Sequence, residues 1–297
     1  MTNPRPHLPS NSVASAFLTA CREELSALKP GNVHIHADGH AMTVADFEAA
    51  AQAATPWIAA PGLRVGQRIE NAVDASFGAT GCNTNLGIVL LAAPLAFAAM
   101  SPPATPTQST NLQHRLRVTL SELDVSDAEH AFAAIARANP GGLGNTSKYD
   151  VHTFPDISLL TAMKEAAGRD RIAKAYIDTY QDIFEFGLPA FRTALANTEK
   201  NVPLAISTLH MHYLAQFPDT HIARKHGAEA ATSVQRQAEE LRPLWQPTVK
   251  PEKIEELLAF DRTLKADGLN PGTTADFVVT TLFAHKLEDN LAKNPRA

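Results

Sequence analysis

Residues able to hold an anion, place a metal or move a proton gather at several turns of this 297-residue chain. The segment Leu269-Asn270-Pro271-Gly272-Thr273-Thr274-Ala275-Asp276 predicts a tight turn feeding a helix. Backbone N–H groups at a helix start have no intrahelical acceptor, so Gly272, Thr273 and Thr274 suit a phosphate. Asp276 falls in the first turn and could hold a divalent cation or act as an acid–base group beside that phosphate. Pro-Gly followed by Thr is also ordinary helix punctuation, so other segments must join it.

Lys29-Pro30-Gly31-Asn32-Val33-His34 follows an amphipathic stretch and brings a cation, a turn glycine, an amide and an imidazole together. His34, Asp38 and His40 lie within seven residues, and His34 or His40 could serve as a general base. A zinc site built on His34 and His36 lacks third and fourth ligands at recognisable spacing. The His210-Met211-His212 pair points its two rings to different faces of a helix and carries no metal signature.

Gly78 to Gly87 forms a polar loop between two apolar helices. Its small residues let a ligand approach the backbone. Asn83 and Asn85 offer amides that can read a base or ribose, and Thr84 adds a hydroxyl. Upstream, Glu70 and Asp74 are four apart and share one helical face. Such a pair can bind a metal or share acid–base work, or it can be a solvated charged face. Asp219 to Gly227 places an acid, Arg224, Lys225 and two histidines in nine residues. Arg224 and Lys225 could pair with phosphates, or favour a helix C-terminus that Gly227 stops.

The elements that must position these residues are helical. Val13, Phe17, Cys21, Leu25 and Leu28 recur at three or four residues, and Thr43 is placed to cap a second helix carrying Val44, Phe47, Ala51 and Ala54. Val65, Ile69, Val73 and Phe77 mark a third. Ser126-x-x-Glu129 reads as a capping box for another. Further helices are expected at 157–167, 169–186, 189–197, 202–216, 228–241, 252–266 and 274–291. Strand-like alternation is scarce. The expectation is one all-α globular domain over 1–297, its site formed by loops at helix ends, with residues 1–11 a loosely ordered segment. Residues 101–111 read as an exposed connection, and 141–155 as the longest loop.

Composition narrows the class. The chain is 44% apolar and 19% charged, with a net charge of −5. That argues against a nucleic-acid binder, which shows a basic balance. The longest apolar run, Gly87 to Met100, has 14 residues, below the roughly 17–25 that span a bilayer. It reads as a buried helix. The two cysteines, Cys21 and Cys82, form no disulfide framework or zinc pattern. No targeting segment is recognised, so a soluble, cytoplasmic protein is expected. The low charge and large apolar fraction permit a helical homodimer.

Taken in order, Glu24, Lys29-Pro30-Gly31-Asn32-Val33, Asn83-Thr84-Asn85-x-Gly87, Asp219 to Gly227, and Asn270-Pro271-Gly272-x-x-Ala275-Asp276 make the chain resemble the ATP:dephospho-coenzyme A triphosphoribosyl transferase family, also called triphosphoribosyl-dephospho-CoA synthase. The resemblance implies an all-α fold. It implies transfer of a 5-triphosphoribosyl group from ATP to the ribose 2′-hydroxyl of dephospho-CoA or a related acceptor, with release of adenine, in the biosynthesis of a prosthetic group. The family loop usually reads Asn-Thr-His-Lys-Gly, and here Asn85 and Leu86 stand in place of His and Lys. The family's Ala-His-x-Asp-Met segment is here Asp38-Gly39-His40-Ala41-Met42. In these departures the chain resembles a separate branch associated with one-carbon, pterin-type cofactor metabolism, which implies as an alternative a related ATP-dependent (phospho)ribosyl transfer in that biosynthesis.

With that chemistry implied, Lys29, Gly31, Asn32, Gly272, Thr273 and Thr274 are the expected phosphate-binding residues, with Arg224 and Lys225 as helpers. Glu70, Asp74 and Asp276 are the expected Mg²⁺ ligands. Asn83, Thr84 and Asn85 are expected to position the nucleoside. Glu70, Asp276, His34 and His40 are the expected catalytic groups. Readings from other classes are a metal-dependent phosphohydrolase and a non-catalytic helical nucleotide-binding protein.

Overall fold

Helices account for nearly all the regular structure in the computed structural model, which describes residues 7–39, 42–102, 111–140 and 150–293. In chain order they are α1 Ser10–Leu25, α2 Val44–Ile58, α3 Val65–Thr80, α4 Leu86–Met100, α5 Leu112–Ser121, α6 Val125–Ala138, α7 Leu159–Ala166 and α8 Arg171–Ile177. A π-helical turn, Asp182–Gly187, leads into α9 Leu188–Asn197 and α10 Val202–Gln216. Then come α11 Thr220–His226, α12 Ala228–Glu240, α13 Arg242–Trp245, α14 Ile254–Ala266 and α15 Gly272–Lys293. Among the described residues there is no strand, only isolated bridges at His34–Ala37 and Gly39–Met42. The chain is all-α, as the periodicity predicts.

Two deeply buried helices organise the interior. The run that was too short to span a bilayer is α4, buried along almost its whole length. Its Pro94 cannot donate to the Leu90 carbonyl four residues back. Tyr176 donates its hydroxyl to that carbonyl at 2.6 Å, and Tyr180 serves the neighbouring Leu91 carbonyl at 3.1 Å. The freed Leu90 acceptor therefore stays satisfied in an apolar setting. The second organising helix, α15, packs on α1, α4 and α10, with Phe17 and Phe283 edge to face at 5.6 Å.

A smaller apolar cluster lies apart from the main one. It joins Leu28 to Met211 and Leu214 of α10, Ile222, Val234, Trp245, Leu257 and Leu264. Trp245 is fully buried, and its indole N–H donates to the Ala238 carbonyl at 2.9 Å. Helix α10 carries residues of both clusters, Leu209 in one and Met211 in the other.

Some sequence expectations change. Helix α6 is capped by Asp124 with Asp127, two residues before the expected Ser126 and Glu129. Asp127 also accepts from Arg64 and from the Gly66 N–H, so the aspartate pair is tied into α3 as well as its own helix. The helix expected over 169–186 is interrupted, because Thr179 and Tyr180 adopt φ +56° and turn the chain before the π-helical segment. That break leaves Tyr176 and Tyr180 both reaching α4. Leu8, within the segment expected to be loose, is buried and donates its N–H to the Ala99 carbonyl at 2.9 Å. The expected connection at 101–111 and the first nine residues of the 141–155 loop fall mostly outside the described residues.

Candidate functional site

A cavity of about 1010 Å³ opens where four helices begin. Its wall includes residues at the starts of α4 (Asn83, Thr84, Gly87), α8 (Asp170, Arg171), α11 (Thr220, His221, Arg224) and α15 (Asn270, Gly272, Thr273, Asp276). Helices α6 and α7 add apolar wall through Phe132, Ile135 and Met163. Thr220 ties three of the starts together. Its hydroxyl receives the Arg171 N–H at 3.4 Å and meets the Thr273 hydroxyl at 3.1 Å.

Asp219 joins two of these helices through one carboxylate. One oxygen accepts the N–H groups of His221 and Ile222, at 2.9 and 3.0 Å, and caps α11. The other accepts the Thr274 N–H at 2.7 Å and the Thr274 hydroxyl at 2.8 Å, and caps α15. Burial pushes this carboxyl up from its ordinary range, while the four donors oppose that shift. The phosphate role expected of Thr274 is thus filled by a side chain. Thr273 keeps an N–H without an acceptor among the described residues.

Asp276 sits one turn further along α15 and faces the cavity. Its carboxyl group has no hydrogen-bond or ion-pair partner among the described residues. Burial, and then the nearby carboxylates of Asp219, Glu24 and Asp170, hold it well above the usual carboxylate range. It packs against Gly87 at the start of α4. A β-carbon added at Gly87 would lie 2.0 Å from Asp276 Oδ2. Only glycine leaves room for the carboxyl there.

The Lys29 segment supports the site from behind. Lys29 is fully buried and is paired with Glu24, and its Nζ also donates to Asn32 Oδ1 at 3.2 Å. Burial pushes Lys29 down and Glu24 up, and each partner opposes the other's shift. Asn32 then donates to Asn270 Oδ1 at 2.8 Å, joining this segment to the turn before α15. Gly31 has φ +83°, and its N–H donates to Asp261 Oδ1 at 2.8 Å. Of these residues, Glu24 and Asn32 line the cavity, and Lys29 and Gly31 do not.

The other expected residues divide by location. Asn83, Thr84, Arg224, Lys225, Gly272, Thr273 and Asp276 line the cavity together. Thr274 and Asn85 do not line it, and Asn85 donates to Ser76 Oγ at 3.0 Å. Glu70 and Asp74 do share a face, but it turns toward α6, where Glu70 pairs with His130 and Asp74 with Arg137 at 3.7 Å. Neither reaches the cavity. His34 is buried against Asp261, its Nε2 3.3 Å from Oδ1, and its Nδ1 accepts the His36 N–H. Burial lowers its pKa, which suits a structural neutral ring. His40 lies outside the described residues.

Sequence reasoning missed Gly168-Arg169-Asp170-Arg171, which also lines the cavity. Asp170 caps α8 by accepting from Ile172 and Ala173, and its second oxygen is 3.5 Å from Arg224. Arg171 is held by Asp182 at 2.6 Å and lies 3.3 Å over the Phe217 ring. An Arg-Asp-Arg cluster after glycine was the available signal, but an expected continuous helix hid it. Among the described residues no three metal-ligating side chains cluster. The site's chemistry is an acid without an ion-pair partner among the described residues, in a cavity that also presents Arg171, Arg224 and Lys225.

Two likenesses to known proteins bear on this site. The family model for ATP:dephospho-CoA triphosphoribosyl transferase (CitG) matches residues 10–295. A crystal structure from Archaeoglobus fulgidus, provisionally assigned as a triphosphoribosyl-dephospho-CoA synthase, is similar at TM-score 0.60 and 24% identity, covering 81% of this chain and 98% of that one. The second likeness concerns the fold. No curated protein matches the sequence significantly.

Proposed function

The chain belongs to the ATP:dephospho-CoA triphosphoribosyl transferase family, and from that premise we propose that its cavity is where the triphosphoribosyl group passes from ATP to dephospho-CoA. The enzyme is a transferase. In the proposed step the bond from ribose C1′ to adenine breaks, and a bond from C1′ to the acceptor's 2′-hydroxyl oxygen forms. Positive charge builds on the ribose as adenine leaves, as in glycoside hydrolysis. A carboxyl group with a raised pKa can give adenine a proton. As a carboxylate it then faces the positive carbon and takes the proton of the incoming hydroxyl, so no net proton is gained or lost.

The observation that carries this assignment is Asp276, a cavity carboxyl without a hydrogen-bond or ion-pair partner among the described residues, and held toward its protonated form first by burial and then by neighbouring acids. Arg224, Lys225 and Arg171 would face the triphosphate, whose charge needs cationic partners. Mg²⁺ keeps several waters and requires only one or two carboxylates besides phosphate oxygens. Asp170 fits that need and would hold it with the substrate. When bound, Mg²⁺ would neutralise triphosphate charge. The same reading makes this a cytoplasmic enzyme.

The test is incubation with ATP and Mg²⁺, with and without dephospho-CoA, followed by mass spectrometry. Free adenine and a triphosphoribosyl adduct are expected together. Inorganic phosphate released without adenine would point to a phosphohydrolase and end the proposal.

A further inference from the structure

The polar motif at the start of α4 spends two of its three side chains on its own structure. Asn83 Oδ1 accepts the Leu86 N–H at 3.2 Å, and Asn85 donates to Ser76. Thr84 does neither. It is 9% exposed, lines the cavity, and its hydroxyl oxygen is buried with no hydrogen-bond partner among the described residues. A buried polar group left unpaired is costly, so such a hydroxyl is best explained by something that arrives later. The N–H groups of Gly87 and Ile88, in the first turn of the same helix, also have no acceptor among the described residues, and both residues line the cavity.

We propose that the Thr84 hydroxyl and the first-turn N–H groups of α4 hold a phosphoryl group of the nucleotide bound in the cavity. The proposal deepens the transferase reading and takes the nucleotide substrate from it. Three donors meeting at one helix start favour an anionic oxygen over a base edge, which would demand acceptors as well as donors. The helix is 15 residues long, so its aligned peptide dipoles add positive potential at this end. The Asp276 carboxyl packs against Gly87 of the same turn, which sets the phosphoryl group beside the proposed acid. Asn83 and Asn85, expected to read the nucleoside, instead shape the turn.

Either substrate carries suitable phosphates, the triphosphate of ATP or the diphosphate of dephospho-CoA. The experiment is calorimetric titration of wild type, Thr84→Val and Thr84→Ser with inorganic tripolyphosphate, ATP, dephospho-CoA and adenosine. Valine keeps the shape and removes the hydroxyl. Thr84→Val is expected to lose tenfold or more in affinity for tripolyphosphate and for one of the two nucleotides. Adenosine binding is expected to stay within threefold, and Thr84→Ser to stay near wild type. Loss for ATP assigns the phosphate to the donor, and loss for dephospho-CoA assigns it to the acceptor. Thermal stability of the empty Thr84→Val protein is expected to equal or exceed wild type. Unchanged tripolyphosphate binding in Thr84→Val, or an equal loss for adenosine, overturns the proposal. The readout is binding, so a chain that releases no adenine from ATP would sink the transferase reading and leave this test intact.

Discussion

Gly87→Ala separates the position of a carboxyl group from the stability of the fold. The added β-carbon would lie 2.0 Å from Asp276 Oδ2 and 2.5 Å from Asp276 Cγ. Real β-carbons essentially never approach within 3.0 Å, so the carboxyl must retreat by at least 3.0 − 2.0, or 1.0 Å. A misplacement of about 1 Å at a reacting centre can cost about 10²-fold in rate, or about 2.7 kcal/mol of barrier. Stability moves little. Alanine within a helix gains about 0.5–1 kcal/mol over glycine, and this is offset by pressure on the Ile172 Cδ1 methyl, 2.8 Å from the new atom. The expected result is adenine release down about 10²-fold with a urea midpoint close to wild type. Gly78→Ala is the control, because nothing lies within 4 Å of a β-carbon there. It should keep full activity. In an Asp276→Asn background, Gly87→Ala should add little further loss, since both changes act on one carboxyl. A folded Gly87→Ala protein with turnover within threefold of wild type would refute the placement of Asp276 at the reacting carbon.

Other changes bear on charge and burial. Asp276→Asn should reduce adenine release about 10²–10⁴-fold. It should not lower the melting temperature at pH 8, because burial and then the neighbouring acids raise the folded carboxyl's pKa above its unfolded value, so wild-type stability falls as pH rises above the unfolded range. A lower melting temperature for Asp276→Asn at pH 8 would contradict that sign. Lys29→Met leaves Glu24 buried and alone, and should cost about 3–5 kcal/mol by urea denaturation. Adding Glu24→Gln should recover part of that loss, and full additivity of the two changes would count against the pairing. His210 is fully buried with its pKa pushed down to about 3 from 6.5. Below about pH 6.5 the unfolded ring takes a proton that the folded ring refuses until about pH 3, so stability should fall with acid at about 1.4 kcal/mol per pH unit. At pH 5 the difference is about 2 kcal/mol, and His210→Gln should be less sensitive to acid by that amount.

The helical class was legible because apolar residues recur at 3.6-residue spacing, and the α15 start was legible from Pro271-Gly272 and its threonines. Sequence spacing cannot tell which partner a polar group takes when that partner is distant. Thr274 looks like a phosphate ligand until Asp219, 55 residues earlier, arrives to cap it. Lys29 looks like a free cation, yet Glu24 lies within reach behind a helix end, and burial commits the two to each other. Glu70 and Asp74 were rightly placed on one face, but whether that face meets a cavity or α6 depends on packing between helices. Arg171 escaped notice because the break at Thr179 and Tyr180 has no glycine or proline to announce it.

The links from Gly31 to Asp261 and from Asn32 to Asn270 join residues 230 and 238 positions apart. During synthesis the Lys29 segment leaves the ribosome long before either partner exists. The helices before α14 can form early among themselves, but the main core closes only when α15 packs on α1, α4 and α10. Nucleotide affinity therefore arrives late, as the turn before α15 closes on Asn32. A ribosome-bound chain ending before residue 261 lacks α15 and should be unable to retain ATP, which makes the substrate itself a reporter of completed synthesis.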